Sequence, residues 1–104
     1  MGNPPRSFTT SAATRPATPT GFTATAGACG NNWLNLAWNG SAGATSYTVM
    51  EGARTVYSGP GLAVTDTGLV LGSTHNYTVI ASNVAGNSPP AATSGTVANA
   101  CSTK

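Results

Sequence analysis

Charge is what this sequence has least of. Only 6% of its 104 residues are Asp, Glu, Lys or Arg, against about 25% in an ordinary soluble protein. This composition excludes coiled coils and helical bundles, because those folds are built largely from Ala, Glu, Lys, Leu and Arg. Long hydrophobic runs are also lacking, and none approaches the roughly 18 residues that a transmembrane helix needs. We therefore expect no membrane insertion.

The few charges are not clustered along the chain. The formal net charge is +2, but between Pro16 and Thr103 the only charged residues are Glu51, Arg54 and Asp66. Phosphate binding needs Lys and Arg gathered on one face, so we expect no nucleic-acid partner. A near-neutral surface of Thr, Ser and Asn can pack against another protein without stripping water from many charges. This favours a role in assembly or surface display.

The inventory of reactive side chains is too small for the common enzyme chemistries. Glu51 and Asp66 are the whole carboxylate supply, and His75 is the only histidine. Glycoside hydrolysis needs two carboxylates facing each other. A Ser-His-Asp set built from His75 and Asp66 lacks the usual Gly-x-Ser-x-Gly context. Two cysteines with one histidine cannot close a four-ligand zinc site, and no Gly-rich loop opens a helix for phosphates. We predict no enzyme activity and no catalytic residue, metal or cofactor.

Residues 1–17 are predicted to form an extended Pro/Thr-rich arm or linker. Prolines favour extended conformations, and the segment has too little apolar surface to fold alone. Phe8 lies among β-favouring residues of this arm and is a candidate binding residue, because such a segment can add a strand to an unpaired sheet edge. Residues 18–101 are the predicted domain, and 102–104 are a C-terminal tail.

After Pro19 the sequence consists of short alternating runs separated by Gly, Asn and Pro, which is typical of β-strands and turns. Turns recur about every 8–12 residues, and no helical periodicity is present. This pattern predicts an all-β fold, a seven-stranded antiparallel β-sandwich. The predicted strands span 22–26, 33–38, 46–50, 54–57, 62–67, 77–82 and about 91–98.

The second strand alternates with a period of two, which assigns its two tryptophans to opposite faces. Trp38 shares a face with Leu34 and Leu36 and is predicted to lie in the core. Trp33 is a candidate binding residue, since an exposed tryptophan can stack on sugar rings or anchor an interface. Packing of Trp33 under a neighbouring loop is the alternative. Tyr57, on a short edge strand, is a second candidate binding residue.

Three motifs in order resemble those of a fibronectin type III domain, an immunoglobulin-like sandwich, over about residues 16–100. They are L-x-L-x-W at 34–38, Y-x-V at 47–49 and L-x-x-G-x-x-H-x-Y-x-V-x-A at 69–81. The resemblance implies two sheets, A-B-E and C′-C-F-G, packed face to face. The core that it implies consists of Leu34, Leu36, Trp38, Tyr47, Val49, Leu69, Tyr77, Val79 and Ala81.

Two positions depart from the family pattern. Leu71 stands where a proline is usual, and His75 stands where the family places its "tyrosine corner", whose hydroxyl bonds to upstream backbone. A neutral imidazole can donate one such bond. A role for His75 as a metal ligand is the less favoured alternative, because no Cys, Asp or Glu lies at metal-site spacing.

The resemblance also bears on the two cysteines. In the family topology the A–B turn and the end of strand G lie at the same pole, which brings Cys29 and Cys101 together. A disulfide between them implies an oxidising, exterior location. Two free thiols in a reducing compartment are the alternative.

Two non-catalytic functions remain open, and both place the protein outside the cell or on a particle surface. In the first, which we favour, the chain decorates a virion or an extracellular filament and docks on neighbouring protein subunits through its arm. In the second, it is a spacer or weak glycan-binding accessory module of a secreted bacterial carbohydrate-active enzyme. Its partners are then the parent polypeptide and a polysaccharide.

Overall fold

The computed structural model describes residues 14–101, and within this range the regular structure is entirely β. Short strands form because turn residues interrupt each alternating run after a few positions. The strands are β1 (Thr23–Ala26), β2 (Leu34–Ala37), β3 (Ser46–Glu51), β4 (Arg54–Gly59), β5 (Ala63–Asp66), β6 (Thr74–Asn83), β7 (Gly86–Asn87) and β8 (Ala91–Thr96).

The strands form two antiparallel sheets that pack face to face. The smaller sheet has the order β1-β2-β5, and the larger has the order β4-β3-β6 with β7 and β8 both paired to β6. This confirms the predicted arrangement, in which strands A, B and E are β1, β2 and β5. Strands C′, C and F are β4, β3 and β6, and strand G is β7 together with β8. The final strand is divided, because β7 and β8 are separated by Ser88, Pro89 and Pro90. Prolines lack the N–H that a continuous ladder requires.

Inward-facing residues of both sheets make the core. Leu69 is partly buried and packs against it, and Val97, from the segment after β8, belongs to it although the family motifs do not include that position. The core side chains are nearly free of solvent contact because successive strand residues alternate between a solvent face and the facing sheet. The buried hydrophobic residues are Leu34, Leu36, Trp38, Tyr47, Val49, Tyr77, Val79, Ala81 and Val97.

β6 begins three positions earlier than the alternating run at 77–82 predicts. Its first residues pair with β8, with Thr74 opposite Thr96 and Tyr77 opposite Thr93. The hydroxyls of Thr74 and Thr96 also hydrogen-bond to each other at 2.9 Å. Polar residues extend this strand because a neighbouring strand supplies hydrogen-bond partners there.

The sandwich has two ends, and the described chain starts at one of them. We call this end the entry pole; it holds the β2–β3, β4–β5 and β6–β7 turns. The side-chain amide of Asn83 donates to the carbonyls of Thr14, at 2.7 Å, and Gly43, at 3.1 Å. Pro16 is buried. Contact between the chain and the sandwich therefore begins inside the segment 1–17 that was predicted to be an arm.

The opposite end, which we call the exit pole, holds the β1–β2, β3–β4 and β5–β6 turns and the chain after β8. Cys29 and Cys101 form a disulfide here, with Cα atoms 4.8 Å apart. The N–H of Gly30 also donates to the carbonyl of Asn99 at 2.8 Å. The described chain therefore enters at one pole and leaves, covalently fastened, at the other.

Candidate functional site

The three charged residues between Pro16 and Thr103 meet at the exit pole; they are Glu51, Arg54 and Asp66. Arg54, at the start of β4, forks onto the Asp66 carboxylate with N–O distances of 2.6 and 3.3 Å. The same guanidinium lies 2.7 Å from the Glu51 carboxylate. Tyr77 donates its hydroxyl to Asp66 at 2.8 Å. Because Asp66 belongs to the smaller sheet and its partners to the larger, this cluster ties the two sheets together.

Asp66 is the buried member of the cluster, with a side chain 6% exposed, against 50% for Arg54. Burial by itself raises the pKa of the Asp66 carboxyl, but the hydrogen bonds from Arg54 and Tyr77 outweigh it, so this pKa lies below its ordinary value. The hydrogen bonds from Arg54 and His75 likewise lower the pKa of Glu51. Burial, and then the bond to Asp66, raise the pKa of Tyr77. The cluster carries its own cation, since Arg54 lies between the two carboxylates.

Glu51 also joins the cluster to a histidine and a serine. His75 Nδ1 contacts a Glu51 carboxylate oxygen, and His75 Nε2 lies 2.7 Å from Ser73 Oγ. The imidazole stacks on the Tyr77 ring, with centroids 6.2 Å apart. The order serine, histidine, carboxylate has the connectivity of a nucleophile, a base and its orienting acid. The carboxylate in this series is that of Glu51. The Ser-His-Asp set considered from the sequence would have used Asp66 instead.

The serine is not oriented as a nucleophile. Ser73 Oγ donates its single hydrogen to the carbonyl of Val70 at 2.5 Å, whereas a nucleophilic hydroxyl must give its proton to the base. The Ser73 N–H is also engaged, again with the Val70 carbonyl, at 3.1 Å. No cavity opens beside these residues in the part of the chain that the structure describes. The arrangement supports a structural role, in which the β5–β6 turn is fastened to the β3–β4 turn.

The corner role predicted for His75 is therefore corrected. The ring does not bond to upstream backbone, as the hydroxyl of the family's tyrosine does; its contacts are the side chains of Ser73 and Glu51. The physical reason is reach, since the imidazole nitrogens lie closer to the main chain than a tyrosine hydroxyl. The two side chains next to the ring accordingly become its partners.

We expect the substitution Asp66→Asn to lower the free energy of unfolding at neutral pH by about 1–3 kcal/mol, the usual cost of disrupting a buried hydrogen-bonded group. The folded-state pKa of Asp66 lies below its unfolded value. Its contribution to stability is therefore complete above the unfolded pKa and is lost as the pH falls through the folded pKa. Urea titrations of wild type and variant from about pH 7 down to pH 2 should converge at the acid end.

Glu51→Gln is the matched control, because it also neutralises one carboxylate that Arg54 contacts, at a more exposed position. We expect it to cost at most about 1 kcal/mol, the usual range for exposed ion pairs. If the difference in unfolding free energy between wild type and Asp66→Asn stayed constant down to pH 2, it would contradict the argument. Protonation of the wild-type carboxyl should by then have removed the stability that the charged form provides.

Trp33 lies at the exit pole, half-buried, just before β2. Its ring rests against Gly27 so closely that a Cβ atom added there would lie 2.4 Å from Trp33 Cζ2 and 2.8 Å from Asn31 Nδ2. A glycine is required at this position because the indole occupies the space of its side chain. Trp33 therefore covers the turn next to the disulfide, as the alternative interpretation of this residue proposed.

Tyr57 is not an exposed platform, which corrects the prediction from its edge strand. Its ring packs against Trp38 with centroids 6.0 Å apart, and its hydroxyl accepts the N–H of Gly61 at 2.7 Å. A bulge in the β3–β4 pairing between Val49 and Met50 accompanies this placement. The remaining candidate, Phe8, lies outside the described residues.

The outer face of the smaller sheet carries short side chains and no charge. Two cross-strand rows run over β1, β2 and β5, one of Thr25, Asn35 and Thr65 and one of Thr23, Ala37 and Ala63. All six side chains are short, and all except the half-buried Ala37 are exposed. We call these six residues the threonine face. It contains no acid, base or cation, so what it can do chemically is limited to hydrogen bonding and methyl contact.

Proteins similar to this chain are known both by sequence and by structure. No family model matches the chain. The poly(3-hydroxybutyrate) depolymerase of Ralstonia pickettii is 41% identical over 75 residues, which are 71% of this chain but 15% of that enzyme. The chain therefore spans a small part of the curated relative that it matches.

Solved structures give the same fold. The fibronectin type-III domain of human fibronectin type III domain containing protein 3 superposes with a TM-score of 0.64 and 26% identity, covering 88% of this chain and 94% of that one. Chitinase ChiA74 from Bacillus thuringiensis contains a similar domain, with a TM-score of 0.68 and 23% identity over 81% of this chain and 14% of the chitinase. The second likeness shows the fold alone.

Proposed function

Because the chain is a fibronectin type III domain, we propose that it is a non-catalytic accessory module, a folded spacer, of an extracellular bacterial enzyme that degrades a polymer. The observation that carries this proposal is the 41% identity to a depolymerase over a segment that makes up only 15% of that enzyme. The matched segment has 75 residues, which is the size of one domain. It supports the accessory-module part of the second function proposed from the sequence, with a polyester in place of the carbohydrate.

The geometry of the poles supports a spacing role. The chain enters at one pole and leaves at the other, so domains attached before and after it would be held apart by the length of the sandwich. The disulfide fastens the chain after β8 to the β1–β2 turn, and the Asp66 cluster joins the two sheets near the same end. A disulfide also agrees with an oxidising, extracellular compartment.

The other function, decoration of a virion or filament through the arm, depends on Phe8 and its neighbours. These lie outside the described residues, and none of the proteins compared above is named as a structural subunit. Docking through the arm therefore stays a prediction from the sequence.

A domain exchange tests the spacer proposal. The 75 residues of the Ralstonia depolymerase that match this chain would be replaced by the complete chain, and degradation of a polymer film would be compared with that of the parent enzyme. We expect the exchange to keep most of the activity, because the inserted sandwich holds the flanking domains at a similar separation.

The control is a Gly/Ser segment of equal length at the same place. Such a segment is a flexible coil and sets no fixed separation, so we expect it to lose film degradation while keeping activity on a soluble oligomer. Loss of activity on the oligomer in the sandwich exchange, or full film activity with the Gly/Ser segment, would count against a folded spacer.

A further inference from the structure

The threonine face differs from the outer face of the larger sheet in the evenness of its side chains. On the larger sheet the row Thr55–Met50–Thr78 places a long thioether between two short residues. On the threonine face no side chain is longer than Asn35, and strands are spaced about 4.8 Å apart. Side chains of similar short length can contact a solid surface together, whereas a protruding side chain holds its neighbours away.

The hydrogen-bonding character of the threonine face is also particular. Thr65 Oγ1 donates to Asn35 Oδ1 at 3.3 Å, and the exposed amide of Asn35 adds two N–H donors to the face. The exposed hydroxyls of Thr23 and Thr25 are further donors. Between them lie threonine and alanine methyl groups. The face therefore offers donors and methyl contacts, with no charge to be stripped of water.

We propose that the threonine face binds the surface of an aliphatic polyester, an inference that rests on the function proposed above. An aliphatic polyester carries ester carbonyls, which accept hydrogen bonds, and alkyl groups, which pack on methyls. It has no donors and no charges along its chain. These properties complement a face of hydroxyl and amide donors, methyl groups and no ions.

A polysaccharide surface fits this face less well. Sugar rings are commonly held by stacking on exposed aromatic side chains, and the threonine face has none. Trp33 borders it, but its ring rests against Gly27 and is half-buried. Anionic polymers are disfavoured for another reason, because no Lys or Arg belongs to the face.

The test is adsorption of the complete chain to amorphous poly(3-hydroxybutyrate) granules, measured as depletion from solution, with chitin and cellulose powders in parallel. The variant T25K/T65K places two lysines on either side of Asn35. The matched control T55K/T78K places the same two charges on either side of Met50 on the other sheet. We expect T25K/T65K to bind the granules roughly tenfold more weakly than T55K/T78K, because its lysines must lose water on contact.

Thermal unfolding verifies that each variant is folded, and T25V/T65V provides a second version that keeps β-favouring residues while removing the hydroxyls. The proposal is supported if the wild type binds the polyester in preference to chitin and cellulose, and if only the substitutions on the threonine face weaken this binding. Failure of the wild type to adsorb to granules overturns it, as does equal adsorption to chitin or cellulose, or an equal loss in both lysine variants. An inserted chain that restores film degradation but never adsorbs would remove this inference and leave the spacer function standing.

Discussion

Replacing Trp38 with alanine should lower the free energy of unfolding by about 3–5 kcal/mol, the range observed for large aromatic residues truncated in a core. Trp38 is only 3% exposed, and three aromatic rings surround it at centroid distances of 6.0 Å: Phe22, Tyr47 and Tyr57. The substitution leaves a cavity lined by these three rings, and the surrounding structure relaxes into such a cavity only partially. Equilibrium denaturation followed by circular dichroism measures the change.

Trp33→Ala is the control, because it removes the same side chain from the same strand region at a half-buried position. We expect a clearly smaller loss, since the indole of Trp33 covers a turn and is not enclosed by both sheets. Losses of equal size would mean that the turn next to the disulfide contributes as much to global stability as the core does.

Removing the disulfide should have an effect of similar size. The double substitution C29S/C101S is expected to lower the free energy of unfolding by about 4 kcal/mol, because the bond closes a loop between residues 72 positions apart and a long loop removes much entropy from the unfolded chain. We expect the native structure itself to change little, because the backbone hydrogen bond between Gly30 and Asn99 holds the same two segments together. Denaturant titrations of the two proteins give the difference.

Wild type treated with reductant is the matched comparison for this variant. The reduced wild type and C29S/C101S should unfold at the same denaturant concentration, because both lack the same link. Mass spectrometry before reduction should show two fewer protons than the reduced chain has. Quantitative alkylation of both thiols without reductant would contradict the bond.

These two predictions concern features that also serve the proposed role. A spacer has to keep its shape while the domains attached to its poles move, so stability of the sandwich is part of its function. The core around Trp38 joins the sheets along their inner faces, and the disulfide fastens the chain where it leaves the sandwich. The threonine face takes part in neither, so we expect lysines placed there to leave the fold unchanged.

The amino-acid sequence alone determined the sandwich, its two sheets and the residues that face inward along β2. Alternation with a period of two is a local property, so Leu34, Leu36 and Trp38 could be assigned to one face without knowledge of their neighbours. The family topology that the resemblance implies further predicted that Cys29 and Cys101 meet. The low charge and the short side chains of β1 and β5 were also evident from the sequence, but their union with β2 in one face was not.

Only the tertiary structure decided which polar groups find each other. The alternation of Val64 and Asp66 could have indicated that Asp66 points inward, but its partners Arg54 and Tyr77 come from the opposite sheet. His75 and Glu51 both belong to the larger sheet, but 24 positions separate them along the chain. A hydrogen bond tolerates a deviation of only a few tenths of an ångström in its length, and strand order and register decide which groups come that close. Local periodicity carries no information at that precision, because it fixes the face of a residue and not its neighbour.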